Sequence, residues 1–220
     1  MTSMERQPTG ETPTARQKRV WDKSAPGYDK QIAVVERIWF GGARQWIGQR
    51  AHGRVLEVAI GTGLNLPHYR ADTTITGVEL SPAMLAIARQ RAGHLGRTAD
   101  LREGDAEHLP FNDASFDTVV CALALCTIPK PAAAIAEMKR VLVPGGTLLL
   151  VDHIASSWPP IRALQWLLEQ VTVRTAGEHF TRRQLPLVQA TGFQIEASER
   201  LKAGTIERVV ARKPAAPTGT

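Results

Sequence analysis

Val55-Leu-Glu57-Val-Ala59-Ile-Gly61-Thr-Gly63-Leu-Asn-Leu66 decides the fold. It is a short apolar run carrying one acid, broken by two glycines, after which apolar spacing resumes. The pattern reads as strand, tight turn, helix. Gly61 and Gly63 remove Cβ where the chain turns sharply and a ligand must approach the backbone, and a following helix N-terminus would offer free N–H groups. A nucleotide-like ligand is the natural occupant.

The surroundings of the turn narrow the choice. A dinucleotide-binding turn reads G-x-G-x-x-G and sets a pyrophosphate on the helix N-terminus. Here the third glycine is missing in either register, since Gly61 and Gly63 are followed by Leu66, and Ala59 and Gly61 by Leu64. Glu57, on the strand just before the turn, would repel a pyrophosphate and suits a ligand with a cationic or ammonium centre. A nicotinamide-dependent oxidoreductase is therefore the alternative, and a binding module without turnover is a third reading.

Three further segments follow in order. Thr74-Ile-Thr-Gly-Val-Glu79-Leu80-Ser81-Pro82-Ala-Met84 is a strand ending in an acid, with Ser81 as N-cap and Pro82 at the first helical position. An acid about 20 residues past the glycine turn is placed for two ribose hydroxyls. Arg102-Glu-Gly-Asp105-Ala106-Glu107 precedes Phe116-Asp117-Thr-Val-Val-Cys-Ala122, a further strand. Arg140-Val-Leu-Val-Pro144-Gly145-Gly146-Thr-Leu-Leu-Leu-Val-Asp152-His153 is a helix end, a turn and a fifth strand.

Glu57-x-Ala59-x-Gly61-x-Gly63 resembles the first motif of class I S-adenosylmethionine-dependent methyltransferases, with Ala59 replacing the usual first glycine, and the later segments match the family in the right order from Val55 to His153. The resemblance implies S-adenosyl-L-methionine as cofactor, with Glu79 at the ribose and Asp105 and Ala106 at the adenine. Leu80, Met84 and Ala122 complete the candidate cofactor set. Trp21-Asp-Lys-Ser-Ala-Pro-Gly-Tyr28-Asp29 resembles the signature ahead of the core in the ubiquinone/menaquinone methyltransferases, which implies that Tyr28 meets the methionine end of the cofactor. The competing reading is that Trp21 and Tyr28 only pack between helices.

Alternating strands and helices demand an α/β fold: a Rossmann-like, seven-stranded, mostly parallel sheet with helices on both faces, its C-terminal pair forming an antiparallel edge as the resemblance implies. The expected strands are Arg54 to Ala59, Thr74 to Glu79, Thr98 to Glu103, Thr118 to Ala122, Thr147 to Asp152, Phe193 to Leu201 and Ile206 to Lys213. With 220 residues, 43% of them hydrophobic, one domain is expected over 15–213, between disordered tails 1–14 and 214–220. Its N-terminal helices, two or three over 15–50, would form a lid. Residues 154–180 break the alternation, and their surplus of apolar surface reads as a cap over a substrate cleft. Thr181 with Gln184 has the form of a capping box, opening a helix that stops at Gly192.

No apolar run approaches the ~20 residues needed to cross a bilayer, and the polar start lacks the apolar core of a secretion signal, so a cytoplasmic location is expected. The net charge is +6, but the basic residues are scattered and aromatics make up only 5%; no nucleic-acid partner is expected. Peripheral membrane contact is left open, and so is the choice between monomer and homodimer. Cys121 and Cys126 cannot frame a disulfide scaffold or metal site by themselves, and read as buried thiols.

Methyl transfer from a sulfonium is an in-line displacement that needs alignment first, and a base only when the acceptor arrives protonated. Asp152-His153, after the fifth strand, is the candidate base; a hydrogen-bonded structural pair is the competing reading. Ala122-Leu-Ala-Leu-Cys126 lacks the D/N/S-P-P-Y/F/W motif used on adenine or glutamine amines. It resembles instead the bacterial phosphatidylethanolamine methyltransferases and small-thiol methyltransferases, which implies a small-molecule or lipid-headgroup acceptor. For His179, just after the cap, a place facing the cleft competes with a solvent-exposed loop position, and Glu107 reads as surface or adenine rim.

Overall fold

A computed structural model of the chain describes residues 10–215. Five strands run parallel: β1 (Arg54–Val58), β2 (Thr74–Glu79), β3 (Ala99–Glu103), β4 (Phe116–Ala122) and β5 (Leu142–His153). A C-terminal hairpin of β6 (Gln194–Leu201) and β7 (Ile206–Arg212) completes a seven-stranded sheet in the order β3-β2-β1-β4-β5-β7-β6. β7 pairs antiparallel with both β5 and β6. The order reverses between β1 and β4, and that is where an open α/β sheet leaves its ligand crevice.

The central strands are mostly apolar because both faces are covered. Alternate residues go to opposite sides: Leu56, Val58, Val119, Cys121, Leu148 and Leu150 join one core with Ile135, Met138 and Val188. Val55, Val120, Leu149 and Val151 join the other with Ile47, Leu85 and Ala88. Thus α4 (Pro131–Val141) and α6 (Leu185–Ala190) cover one face, and α2 (Ala43–Arg50) and α3 (Pro82–His94) the other. As the sequence leads one to expect, Ser81 caps α3, its hydroxyl accepting from Met84 N–H at 3.1 Å.

Four local expectations are corrected. The helix expected from about Asn65, which Pro67-His68-Tyr69 would keep very short, is a single 3-10 turn, Leu66–His68, and not an α-helix. Asn65 and Tyr69 there turn inward to Glu57, and Pro67 lacks the N–H that a longer helix would use. The N-terminal helix α1 (Pro13–Ile38) begins inside the stretch expected to be a tail, because the Thr12 hydroxyl caps it by accepting from Ala15 N–H at 3.2 Å. The rest of that stretch, 1–9, and 216–220 of the other tail lie outside the described residues. Thr181 caps no helix: α6 starts at Leu185 without a side-chain cap, and the Thr181 hydroxyl donates to Glu169 at 2.6 Å. Pro144-Gly145-Gly146 lies inside β5 as a register irregularity rather than ahead of it.

α1 continues through Pro26 and crosses the carboxyl end of the sheet. Asp22 accepts from the Ser81 hydroxyl at 2.5 Å and Ala83 N–H at 3.2 Å, and Asp29 from the Thr62 hydroxyl at 2.6 Å, with an ion pair to Arg91. At its other end Gln17 donates to Ala176 O at 3.0 Å, next to α5 (Pro159–Thr175). The two helices that bracket the crevice are therefore tied to each other and to the core.

Gly63 serves packing. Its φ is +80°, and a Cβ there would stand 2.8 Å from Leu66 Cδ1 and 3.3 Å from Ala88. Gly63→Ala is expected to cost about 1–3 kcal/mol, read as a lower denaturation midpoint; an unchanged midpoint would show that the turn relaxes freely.

Candidate functional site

Three carboxylates end up buried at the carboxyl ends of the strands: Glu57, Glu79 and Asp152, each no more than 5% exposed. Glu57 on β1 accepts from Asn65 Nδ2 at 2.7 Å and the Tyr69 hydroxyl at 2.8 Å. Burial pushes its carboxyl up to about 7, against the pull of these two hydrogen bonds. Glu79, at the end of β2, accepts from Gly61 N–H and Ser81 N–H, both at 2.9 Å, and burial raises it too. One side chain thus joins the glycine turn after β1 to the N-cap of α3.

These residues line a single hollow. Glu57, Ala59, Gly61, Glu79, Leu80, Met84, Asp105, Ala106 and Ala122 all face it, and Trp21 and Tyr28 of α1 close it from above. Of the candidate cofactor set, Gly63 alone lies outside, for the packing reason given. At Gly61, φ is +58° and a Cβ would meet nothing within 4 Å, so the missing side chain leaves open space where a ligand can approach the backbone. Ala59, in place of a glycine, also adopts φ +56°, and Leu123 at the end of β4 φ +56°; such strain in non-glycine residues concentrates at functional sites. Asp105 keeps its own turn by accepting from Glu107 N–H at 2.9 Å. Glu107 itself is neither surface nor rim: it is buried and accepts from Lys130 N–H at 2.8 Å, fixing the start of α4.

A second, wider cavity of about 630 Å³ adjoins the first, which measures about 90 Å³. The two share Trp21, Tyr28, Leu123 and Thr127 as a common wall. Trp21 and Tyr28 meet edge to face, centroids 5.9 Å apart, and burial drives the Tyr28 hydroxyl well above its usual pKa, so it stays a neutral phenol. Apolar side chains of α1 and α5, among them Val35, Ile161, Leu164 and Leu168, line the wider cavity, with Cys126, His153, Glu178 and Phe180 as part of its wall.

Asp152 and His153 make no side-chain hydrogen bond to each other, Asp152 Oδ1 standing 3.9 Å from His153 Nε2. Asp152 accepts from Cys126 N–H at 3.1 Å and His153 N–H at 2.8 Å. The His153 ring instead meets Glu178, Nε2 to Oε1 at 3.0 Å. Asp152, Cys126 and His153 offer donor atoms within 4.8 Å of one another, and both Asp152 oxygens accept backbone N–H groups of the other two residues. His179 is no free loop residue: its N–H donates to Cys126 O at 3.0 Å and its Nδ1 lies 3.0 Å from Glu169 Oε1. Sequence reasoning missed Glu178 and Thr127. Only the position of Glu178 in the cap segment beside His179 offered any signal.

The fold and the acid-lined strand ends define a doubly wound α/β domain with its ligand cleft at the switch point of the sheet. A family model described as "Methyltransferase domain" matches residues 56–150. A phosphatidylethanolamine N-methyltransferase of Cereibacter sphaeroides is 36% identical over 169 residues, covering 76% of each chain. A demethylmenaquinone methyltransferase of Deinococcus radiodurans is 37% identical over 161 residues, covering 69% of this chain and 67% of the relative. Among solved structures, a SAM-dependent methyltransferase from Thermotoga maritima superposes with TM-score 0.68 at 24% identity, over 89% of this chain and 99% of that one. The [4+2]-cyclase SpnF also gives 0.68, at 23% identity, over 79% and 81%; likenesses this remote show the fold alone. The chain belongs to the class I S-adenosylmethionine-dependent methyltransferases. It is an enzyme, S-adenosylmethionine is its cofactor, and the oxidoreductase and binding-module alternatives fall away.

Because folded Glu57 holds its proton more tightly than the unfolded chain does, the folded state loses stability as pH rises from 4.5 to about 7. Glu57→Gln keeps the shape and removes the charge. Without ligand, it is expected to melt a few degrees above wild type at pH 8 and together with it at pH 5; an equal gain at both values would rule out the buried charge as the cause.

Proposed function

We propose that the enzyme methylates the amine of an amphipathic acceptor, a lipid headgroup of the phosphatidylethanolamine kind, at a membrane surface on the cytoplasmic side. The observation that carries this reading is the wide apolar cavity that meets the cofactor hollow at Trp21, Tyr28, Leu123 and Thr127. A small soluble amine has no use for that much apolar wall; an acyl or glycerol portion does. The phosphatidylethanolamine N-methyltransferase among the relatives supports the same class.

The outer faces of α1 and α5 add a second support. Val34, Ile38 and Trp39 on and just after α1, and Trp158, Trp166, Leu167 and Val171 at α5, are large apolar side chains more than 40% exposed. The exposed charges on the two helices are all cationic: Arg19, Lys23, Lys30 and Arg37 on α1, Arg162 and Arg174 on α5. Apolar and aromatic residues between cations fit the interface of an anionic bilayer. Among the described residues no helix is long and apolar enough to cross a membrane, so contact on this reading is peripheral.

S-adenosylmethionine supplies a methyl group on a positively charged sulfur. The residues fit it: Glu79 has acceptor capacity for two ribose hydroxyls, Asp105 and Ala106 flank the space for adenine, and Gly61 admits the ligand to the backbone. Glu57, once ionised above its raised pKa of about 7, contributes negative potential to the same hollow, and Tyr28 covers the methionine end. Holding acceptor and methyl in line within a water-poor site supplies roughly 7–11 kcal/mol of the barrier in model systems.

Glu79→Ala is expected to weaken S-adenosylhomocysteine binding 10- to 100-fold in calorimetry, the value of one or two charge-assisted hydrogen bonds; unchanged affinity would refute the ribose assignment. For the acceptor, methyl transfer from labelled S-adenosylmethionine is compared among phosphatidylethanolamine vesicles, free ethanolamine and a demethylated quinone. Turnover is expected with the vesicles, together with flotation on anionic vesicles that is lost in a Trp158→Ser/Trp166→Ser variant. Turnover only with the quinone or only with free amine would overturn the reading, and self-association without flotation would assign the apolar rim to a second copy.

A further inference from the structure

The side chains that the cofactor hollow leaves unused gather beyond β5. His153 lines the wide cavity, and its ring is fixed on two sides. Phe180 lies against its face, centroids 4.8 Å apart and planes at 31°, and Glu178 Oε1 stands 3.0 Å from Nε2. Asp152 Oδ1 is farther, 3.9 Å from Nε2, and already accepts the His153 backbone N–H. A carboxylate only accepts hydrogen bonds, so Nε2 is the nitrogen that carries the proton. In neutral imidazole the lone pair then sits on Nδ1. Nδ1 is buried and has no hydrogen-bond partner.

We propose that Glu178 is a positioning residue: by accepting from Nε2 it fixes the tautomer of His153 whose Nδ1 takes the proton from the acceptor ammonium. Asp152 holds the strand end and the Cys126 loop instead. The proposal rests on the amine-acceptor reading. In the step, an N–H bond of the ammonium breaks and its electron pair stays on nitrogen, while the proton forms an N–H bond at Nδ1. The freed lone pair is the nucleophile for the sulfonium methyl; the carbon–sulfur bond breaks as the carbon–nitrogen bond forms. The product is a methylated ammonium, and His153 returns one proton to water per turnover.

The charged and titratable groups around the ring are Asp152 on its own strand, Glu178 after α5, Glu169 on α5, and the Cys126 thiol with the nearby Arg182. Burial alone would lower the His153 pKa, but the hydrogen bond that Nε2 donates to Glu178 and the charges of Asp152, Glu178 and Glu169 outweigh it, and the pKa lies above its ordinary value of 6.5. Nδ1 is therefore free to act only above that pH, and kcat is expected to climb through an acid limb placed there.

Two variants separate charge from orientation. Glu178→Gln keeps a carbonyl acceptor for Nε2 and removes the charge; Glu178→Leu removes both. In the S-adenosylhomocysteine complex, without acceptor, the ¹⁵N resonances of His153 are identified by their absence in His153→Ala and titrated. Wild type is expected to show the Nε2-protonated tautomer and a raised pKa. Glu178→Gln should keep the tautomer with the pKa lowered toward its ordinary value, and Glu178→Leu should lose both. With vesicles, Glu178→Gln should retain most of its high-pH kcat with its limb moved down by a similar amount. Glu178→Leu should fall at least 10-fold in kcat with little change in KM, and His153→Ala should lack the limb. Unaltered His153 titration in both Glu178 variants, or a persistent limb in His153→Ala, would overturn the proposal. Failure of every amine to turn over would remove the acceptor reading, and the titration would still decide the tautomer.

Discussion

Burying an ionisable carboxylate is costly unless hydrogen bonds replace the water it loses, and this chain does so three times along one edge of its sheet. Glu57, Glu79 and Asp152 are each enclosed at the carboxyl end of a parallel strand. Each is answered by groups from the following loops: Asn65 and Tyr69, the N–H groups of Gly61 and Ser81, the N–H groups of Cys126 and His153. The loops at this end are therefore held by the acids. The cavity walls, the left-handed Ala59 and Leu123, and the seating of α1 follow from loops that have little freedom to move.

That arrangement also explains why one fold carries different chemistries. The parallel strands and their two apolar cores are generic, and structures as different in activity as a methyltransferase and a cyclase superpose on them equally well. What distinguishes this molecule stands above the sheet. The segment after β5 leaves the strand-helix alternation and becomes α5, and the N-terminal segment becomes α1. Between them they supply most of the wide cavity.

The sheet was legible in the sequence because it rests on local signals: apolar runs of strand length, glycines at the turn, Ser81-Pro82 at a helix start. The candidate cofactor residues were legible for the same reason, since they sit where strands end. The errors came from side chains whose partners lie far along the chain. No spacing announces that Tyr69 will turn back onto Glu57 and stop a helix, or that Glu107 will seat the first residue before α4. Thr181 and Gln184 have the residues of a capping box, but Glu169 claims the threonine first. In the same way the neighbour of His153 in sequence is Asp152, and its neighbour in space is Glu178. Periodicity has no access to such contacts because at least one partner of each lies in a loop, outside the repeating part of the fold.

Trp21 and Tyr28 belong to both cavities at once, and the helix that carries them is anchored to the glycine turn through Asp29 and to α3 through Asp22. A partition shared by two chambers makes their occupancy interdependent: whatever shifts it to admit one guest redraws the space left for the other. Filling the narrow chamber against Trp21 and Tyr28 would thus set the shape of the wall that the wide one presents.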